Sequence, residues 1–204
     1  LERAVTKLGL KGVCIVSNAK EEYFDDKKYW VIFERAERLG VPIYIHPRIP
    51  SPDMVKPYLA YPALATAMSG FGAEVSLHAL RLILSGLFDR YPEVKIILGH
   101  LGEALPFWLW RLDNRWLRMP QGMNIKKKPS QYIKDNFFIT TAGNFSVPAF
   151  LCAFLTLGAD RILFAVDYPL ESNKEAVQFM EVLPIGDDDK EKVYHLNAET
   201  LFRL

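Results

Sequence analysis

VKIILGHLGE, residues 94–103, opens as an apolar, β-branched run and ends on a histidine flanked by glycines. Four runs of the same kind surround it in sequence: GVCIVSN (12–18), VPIYIHP (41–47), FFITT (137–141) and ILFAVD (162–167). They are apolar throughout rather than alternating, the pattern of parallel strands covered on both faces. Helical patterns lie between them. One opens the chain over 1–10. A second, over 29–39, starts after Asp25-Asp26 as caps and stops at Gly40; a third covers 71–88. Leu101, Leu105, Trp108, Leu112 and Trp116 recur at spacings of three and four, the apolar stripe of a core-facing helix. A further helix is expected to be capped by Ser146, with Pro148 in its first turn and Gly158 at its end. Strand and helix thus alternate five times, with no linker or repeat, as a single α/β domain over 1–204. Such units build either an open doubly wound sheet or a (β/α)8 barrel. No G-x-G-x-x-G follows a strand, so dinucleotide binding has no support.

Composition narrows the function classes. Half of the 204 residues are hydrophobic, which excludes disorder and low complexity. Twenty-five Lys and Arg against 24 Asp and Glu leave a net charge of +1, without the basic footprint of a nucleic-acid binder. Two cysteines, Cys14 and Cys152, make neither a disulfide framework nor a zinc knuckle. No apolar run approaches membrane-span length and no signal-peptide pattern opens the chain, so a soluble cytoplasmic protein is expected.

The polar residues sit where such a fold does chemistry. Asn18, His46, His100, Thr140-Thr141 and Asp167 each end an apolar run, and the C-terminal ends of barrel strands share one mouth. His46, in YIHPR, is either a metal ligand or general base, or a hydrogen-bonded rim histidine. His100, with Glu103 three residues on, is either an oriented site histidine or a helix-entry cap. Asp167, before Tyr168-Pro169, is a carboxylate awaiting a metal or cation, or a turn-former. His78 at i+4 from Glu74 is read as a satisfied helical residue and His195 as surface. Lys126–Lys128 reads as a solvated charge run and Arg111/Asp113 as an ion pair; Trp108, Trp110 and Trp116 read as core or subunit contact.

IHPRIP (45–50), HALRLILSGLFDRYPEVKIILGHLGEALPFWLWRLDNR (78–115), FFITTAGNF (137–145), ADRILFAVDYPLES (159–172) and NAETLFRL (197–204) together carry a family likeness. The chain resembles the decarboxylase branch of the amidohydrolase superfamily, and most the hydroxybenzoate decarboxylases. The resemblance implies a (β/α)8 TIM-like barrel of which this chain holds about strands four to eight. It implies one divalent metal ion (zinc, manganese or magnesium), with His46 as the strand-five ligand and Asp167 as the strand-eight ligand. His100 then acts near the substrate with Glu103 as its orienting partner, and Arg111 reaches across a subunit interface toward the substrate. Asn18, Arg48, Phe145 and Tyr168 are expected to line the pocket. A homodimer or homotetramer is the expected assembly, and a small aromatic carboxylic acid the expected substrate.

No E-x-H or H-x-H pair, the family's strand-one ligands, occurs in the 204 residues. With no initiator Met and fewer than the roughly 250 residues of a full barrel, the chain is expected to lack strands one to three. The implied chemistry is non-oxidative decarboxylation: Asp167 carries a proton to the ring carbon bearing the carboxylate, and CO2 leaves from the dearomatised tautomer. Two alternatives stand beside it. One is metal-dependent hydrolysis of a lactone or amide, with Asp167 as base; the other is a catalytically incomplete barrel remnant.

Overall fold

The computed structural model describes residues 1–119, 121–122 and 124–204. Five strands form one parallel sheet in the order β1 (Val13–Val16), β2 (Ile43–His46), β3 (Ile96–Leu98), β4 (Phe137–Thr140) and β5 (Ile162–Leu163). Every neighbour in space is the neighbour in sequence. A doubly wound sheet reverses its strand order at a switch point; an unbroken parallel order is that of consecutive barrel strands. The fold is α/β, a run of five strands of a (β/α)8-type barrel.

The helices are α1 (Glu2–Thr6), α2 (Trp30–Leu39), α3 (Pro52–Val55), α4 (Gly70–Leu84), α5 (Leu87–Arg90), α6 (Leu105–Arg118), α7 (Pro129–Asn136), α8 (Val147–Leu157), α9 (Asn173–Glu181), α10 (Asp187–Glu191) and α11 (Asn197–Phe202). Asp26 accepts from the Lys28 N–H to open the turn before α2, and Gly40, at φ 62°, closes it in the left-handed region. Four boundaries differ from the sequence reading, one of them the start of α6 at Leu105 rather than Leu101. The chain leaves α1 at Thr6 and crosses Gly9, at φ 72°, before β1. The 71–88 helix is two, because Gly86 turns left-handed at φ 82° between α4 and α5. Ser146 precedes α8 without a side-chain capping bond.

Register explains why the strands read as continuous apolar runs. Ile43, Ile45, Ile96, Leu98, Phe137, Ile139 and Ile162 face the helices and are buried in two adjoining clusters. Tyr44, Ile97 and Phe138 are laterally paired on the other face. With Leu163 they form a third cluster, covered by Ala198, Leu201 and Phe202 of α11. Along β3 and β4 both faces are buried, so neither carries alternating polar residues, whereas on β1 Cys14 and Val16 are exposed. Asn197 ties α11 to the sheet, its amide donating to the Ala159 and Ile162 carbonyls at 2.8 Å each.

Candidate active site

Beyond β3 the backbone does something a helix-forming sequence does not announce. His100, Leu101, Gly102, Glu103 and Ala104 have φ values of 50, 57, 76, 53 and 67°, five successive residues in the left-handed region. Only Gly102 enters it freely; each of the others carries roughly 1–2 kcal/mol of steric cost. The turn is tight, about three residues, so side chains at i and i+3 fall on one side. His100 and Glu103 therefore meet, Nδ1 lying 2.5 Å from Oε1. A carboxylate accepts, so Nδ1 carries the proton and Nε2 faces outward. It points toward Asp167, whose Oδ2 is 3.8 Å away. The Glu103 hydrogen bond raises the His100 pKa above its ordinary value; partial burial opposes this and Asp167 adds to it.

Asp167 sits at φ 78°, beside the cis Tyr168–Pro169 bond. The loops after β4 and β5 are stitched together beneath it. Thr141 Oγ1 donates to the Ala165 carbonyl and accepts from the Ala165 N–H, and the Gly143 N–H donates to Val166. Gly143 must be a glycine: at φ 61°, a Cβ there would stand 2.9 Å from His100 Cδ2 and 3.6 Å from Asp167 Oδ2. His100, Glu103, Asp167, Gly143, Asn144 and Trp108 line one cleft of about 440 Å³. It opens at the C-terminal ends of the strands, where barrel active sites lie. A larger hollow of about 960 Å³ lies among residues that precede β2, β3 and β5 and those of α11. That is the opposite face, associated with stability rather than chemistry.

His46 ends β2 in register with Val16. Its Nδ1 lies 2.8 Å from the Pro47 carbonyl. A carbonyl can only accept, so the proton is on Nδ1 and the Nε2 lone pair is free, the tautomer of a metal-binding histidine. Asp167 offers a carboxylate of the kind that completes such a donor set. Among the described residues no group of three or more His, Cys, Asp or Glu is poised as a metal cluster. His46 Nε2 and the Asp167 carboxylate are each donors of the kind a divalent ion takes; Asp167 lines the cleft with His100 and Glu103, whereas His46, at the end of β2, is not among its lining residues. Tyr44, one step below His46, is pushed up to about 12, chiefly by burial, and keeps its phenolic proton. Its hydroxyl lies 2.7 Å from where a Cβ of residue 99 would stand, which is why Gly99 precedes His100.

The remaining sequence candidates fall elsewhere. Asn18 is buried, its amide donating to Glu74 Oε1 at 2.7 Å and the Ile49 carbonyl at 3.2 Å, so it braces the wall rather than lining the cleft. Arg48 is exposed, its N–H donating to Ser17 Oγ. Phe145 packs on Phe179 at 5.8 Å, and Tyr168 is 73% exposed. Arg111 lines an adjoining apolar slot between α4 and α6, separated from the cleft by the shared Trp108. Asp113 accepts from the Ser130 N–H and hydroxyl instead of pairing with Arg111. His78 is not bonded to Glu74; it accepts from the Phe24 N–H, while Glu74 meets Asn18 and Tyr23. His195 is exposed between Glu191 and Glu199. Sequence reasoning missed Gly72, Ser76 and Asn144, which line the cleft from α4 and the loop after β4.

The amidohydrolase family model matches residues 1–204. The chain belongs to the amidohydrolase family. It is 40% identical over 212 residues to a γ-resorcylate decarboxylase of a Polaromonas strain, covering all of this chain and 65% of that protein. Among solved structures it superposes with a TM-score of 0.95 on 5-carboxyvanillate decarboxylase from Sphingomonas paucimobilis, at 42% identity, over 100% of this chain and 61% of that one. A dihydroxybenzoic acid decarboxylase from Polaromonas, solved with bound manganese and the inhibitor 2-nitroresorcinol, matches with a TM-score of 0.93 at 40% identity, over 100% and 64%. The chain therefore spans just under two thirds of the length of these relatives. Among the described residues no helix is long and apolar enough to cross a membrane.

Proposed function

We propose that this chain carries the His100–Glu103–Asp167 part of a metal-dependent, non-oxidative decarboxylase acting on a hydroxybenzoate-like acid. The observation that carries the reading is the convergence of those three side chains in one strand-end cleft, with Glu103 fixing the ring and Nε2 turned toward Asp167. The overall change is loss of CO2 from the aryl carboxylate and gain of one proton by the ring carbon. A bare aryl carbanion is avoided if protonation comes first, and in this reading Asp167 delivers that proton. In this reading His100 Nε2 meets the substrate carboxylate and the departing CO2, and the observation that supports it is Glu103 holding the other ring nitrogen. His46 Nε2 and Asp167 would hold a divalent cation, which supplies positive charge to tether the carboxylate and neighbouring phenolic oxygen. Manganese in a relative at 40% identity supports that choice of metal.

The reading extends to assembly and place. Phe107 and Trp110 on α6 are each 76% exposed, and with Leu117, 60% exposed, they form an apolar band on one side of the helix. A band of this kind on a helix is suited to a second subunit, and a homodimer or homotetramer in the cytoplasm is the assembly we assign.

The test is a substrate panel on the purified chain with added manganese. Release of CO2 and the matching phenol from 2,6-dihydroxybenzoate or a related acid, abolished in Asp167→Asn, is expected. Lactone or amide hydrolysis without CO2 release would replace the reading with metal-dependent hydrolysis. Neither activity would leave the chain catalytically incomplete.

A further inference from the structure

The left-handed turn that pairs His100 with Glu103 is not held by its own sequence, since four of its five residues pay for the conformation. What grips it is α4. Ser76 is 2% exposed and its hydroxyl donates to the Glu103 carbonyl at 2.5 Å, across 27 residues of sequence. Gly72 stands one helical turn earlier on the same face. A Cβ on Gly72 would lie 2.7 Å from Glu103 Oε2, so the carboxylate occupies the space a side chain would take. Ser76 therefore fixes the Glu103 backbone, and the bare Gly72 fixes where its carboxylate rests. With Oε2 against Gly72, Oε1 is left to face His100 Nδ1. Gly72 is the costlier choice for α4 itself: at a helical φ, alanine would favour the helix.

We propose that Gly72 and Ser76 form a seat on α4 that aligns Glu103 and, through it, His100, making both of them positioning residues. The consequence for turnover rests on the decarboxylase reading above; the geometry of the seat does not. The experiment therefore has two arms on the same full chain. In histidine-labelled protein, the Nδ1 proton of His100, bonded to a carboxylate, is expected as a downfield, slowly exchanging resonance, assigned by its loss in His100→Gln. Gly72→Ala and Ser76→Ala should each shift or broaden it, and lower kcat by on the order of tenfold to a hundredfold with KM little changed. Gly72→Ala should at the same time melt no lower than the parent, because it gains helix propensity while displacing only the tip of Glu103. A merely structural glycine would show the reverse pattern. An unmoved resonance in both variants, or a shift that appears only with loss of cooperative melting, would overturn the proposal. A parent chain without decarboxylase activity would overturn the decarboxylase reading, and the resonance would then decide the seat alone.

Discussion

Lowering the pH should weaken this fold through one buried ring. His78 has no exposed surface and accepts a hydrogen bond from the Phe24 N–H at Nε2, while among the described residues its Nδ1 makes no hydrogen bond of good geometry, the Ser17 backbone being its weak neighbour. Burial is the main reason its pKa falls to about 4; Arg81 adds to the shift and Asp25 opposes it. Tyr23 and Phe24 face the ring at 5.6 Å each. The folded protein keeps His78 neutral down to about pH 4, whereas the unfolded chain takes up its proton near pH 6.5. Between those values the unfolded state binds more protons, so stability is lost as pH falls and is fully present above about 6.5. The gap is worth about 3 kcal/mol once pH is below both values, and about 2 kcal/mol at pH 5. Urea unfolding of the parent and His78→Gln at about pH 7.5 and about pH 5 isolates the effect. The parent should lose about 2 kcal/mol more than the variant across that interval. Parallel pH profiles for the two proteins would refute the argument, whatever the offset between them.

Three further outcomes are expected. Tyr132, 1% exposed, accepts from the Lys126 and Lys127 N–H groups at 3.0 Å and donates to Asp89 at 2.5 Å, so Tyr132→Phe should destabilise by roughly 1–3 kcal/mol in the same assay. Gly143→Ala forces a Cβ against His100 at a left-handed φ; it should abolish turnover while far-UV circular dichroism keeps the helical signal. Trp110→Glu, at a 76% exposed position on α6, should leave the fold intact and lower the sedimentation coefficient by dissociating subunits; an unchanged coefficient would remove α6 from the interface.

The strands and their polar ends were legible because burial on both faces of the central strands β3 and β4, and an apolar make-up even on the half-exposed β1, leave unbroken apolar runs, so that Asn18, His46, His100 and Asp167 stand out where they stop. Helix boundaries were legible where one residue type does one job, as at Gly40. They were misread where tertiary contacts decide. Ser85-Gly86 lies within a periodic stretch, and nothing in its pattern says that α4 must break there to start α5. The left-handed turn was hidden for a deeper reason. His-Leu-Gly-Glu-Ala contains mostly residues that enter right-handed helices, and only contacts from α4, far away in sequence, make the opposite hand tolerable. Pro106, in the first turn of α6, was the one local sign that the helix begins later than Leu101. Pocket-lining residues were the least legible. Asn18 and Arg48 flank the right strand ends, yet the Asn18 amide is taken up by Glu74 and Ile49, and Arg48 stands exposed with its backbone N–H on Ser17, placements that are set only in the folded chain.

Metal content bears most directly on the claim that His46 and Asp167 are the chain's contribution to a divalent-ion site. The protein would be purified with manganese, stripped of loosely held ion, and measured by mass spectrometry beside His46→Gln and Asp167→Asn. Near-stoichiometric metal in the parent, falling in both variants, is the predicted result. No retained metal in the parent, or equal metal in all three proteins, would contradict the account.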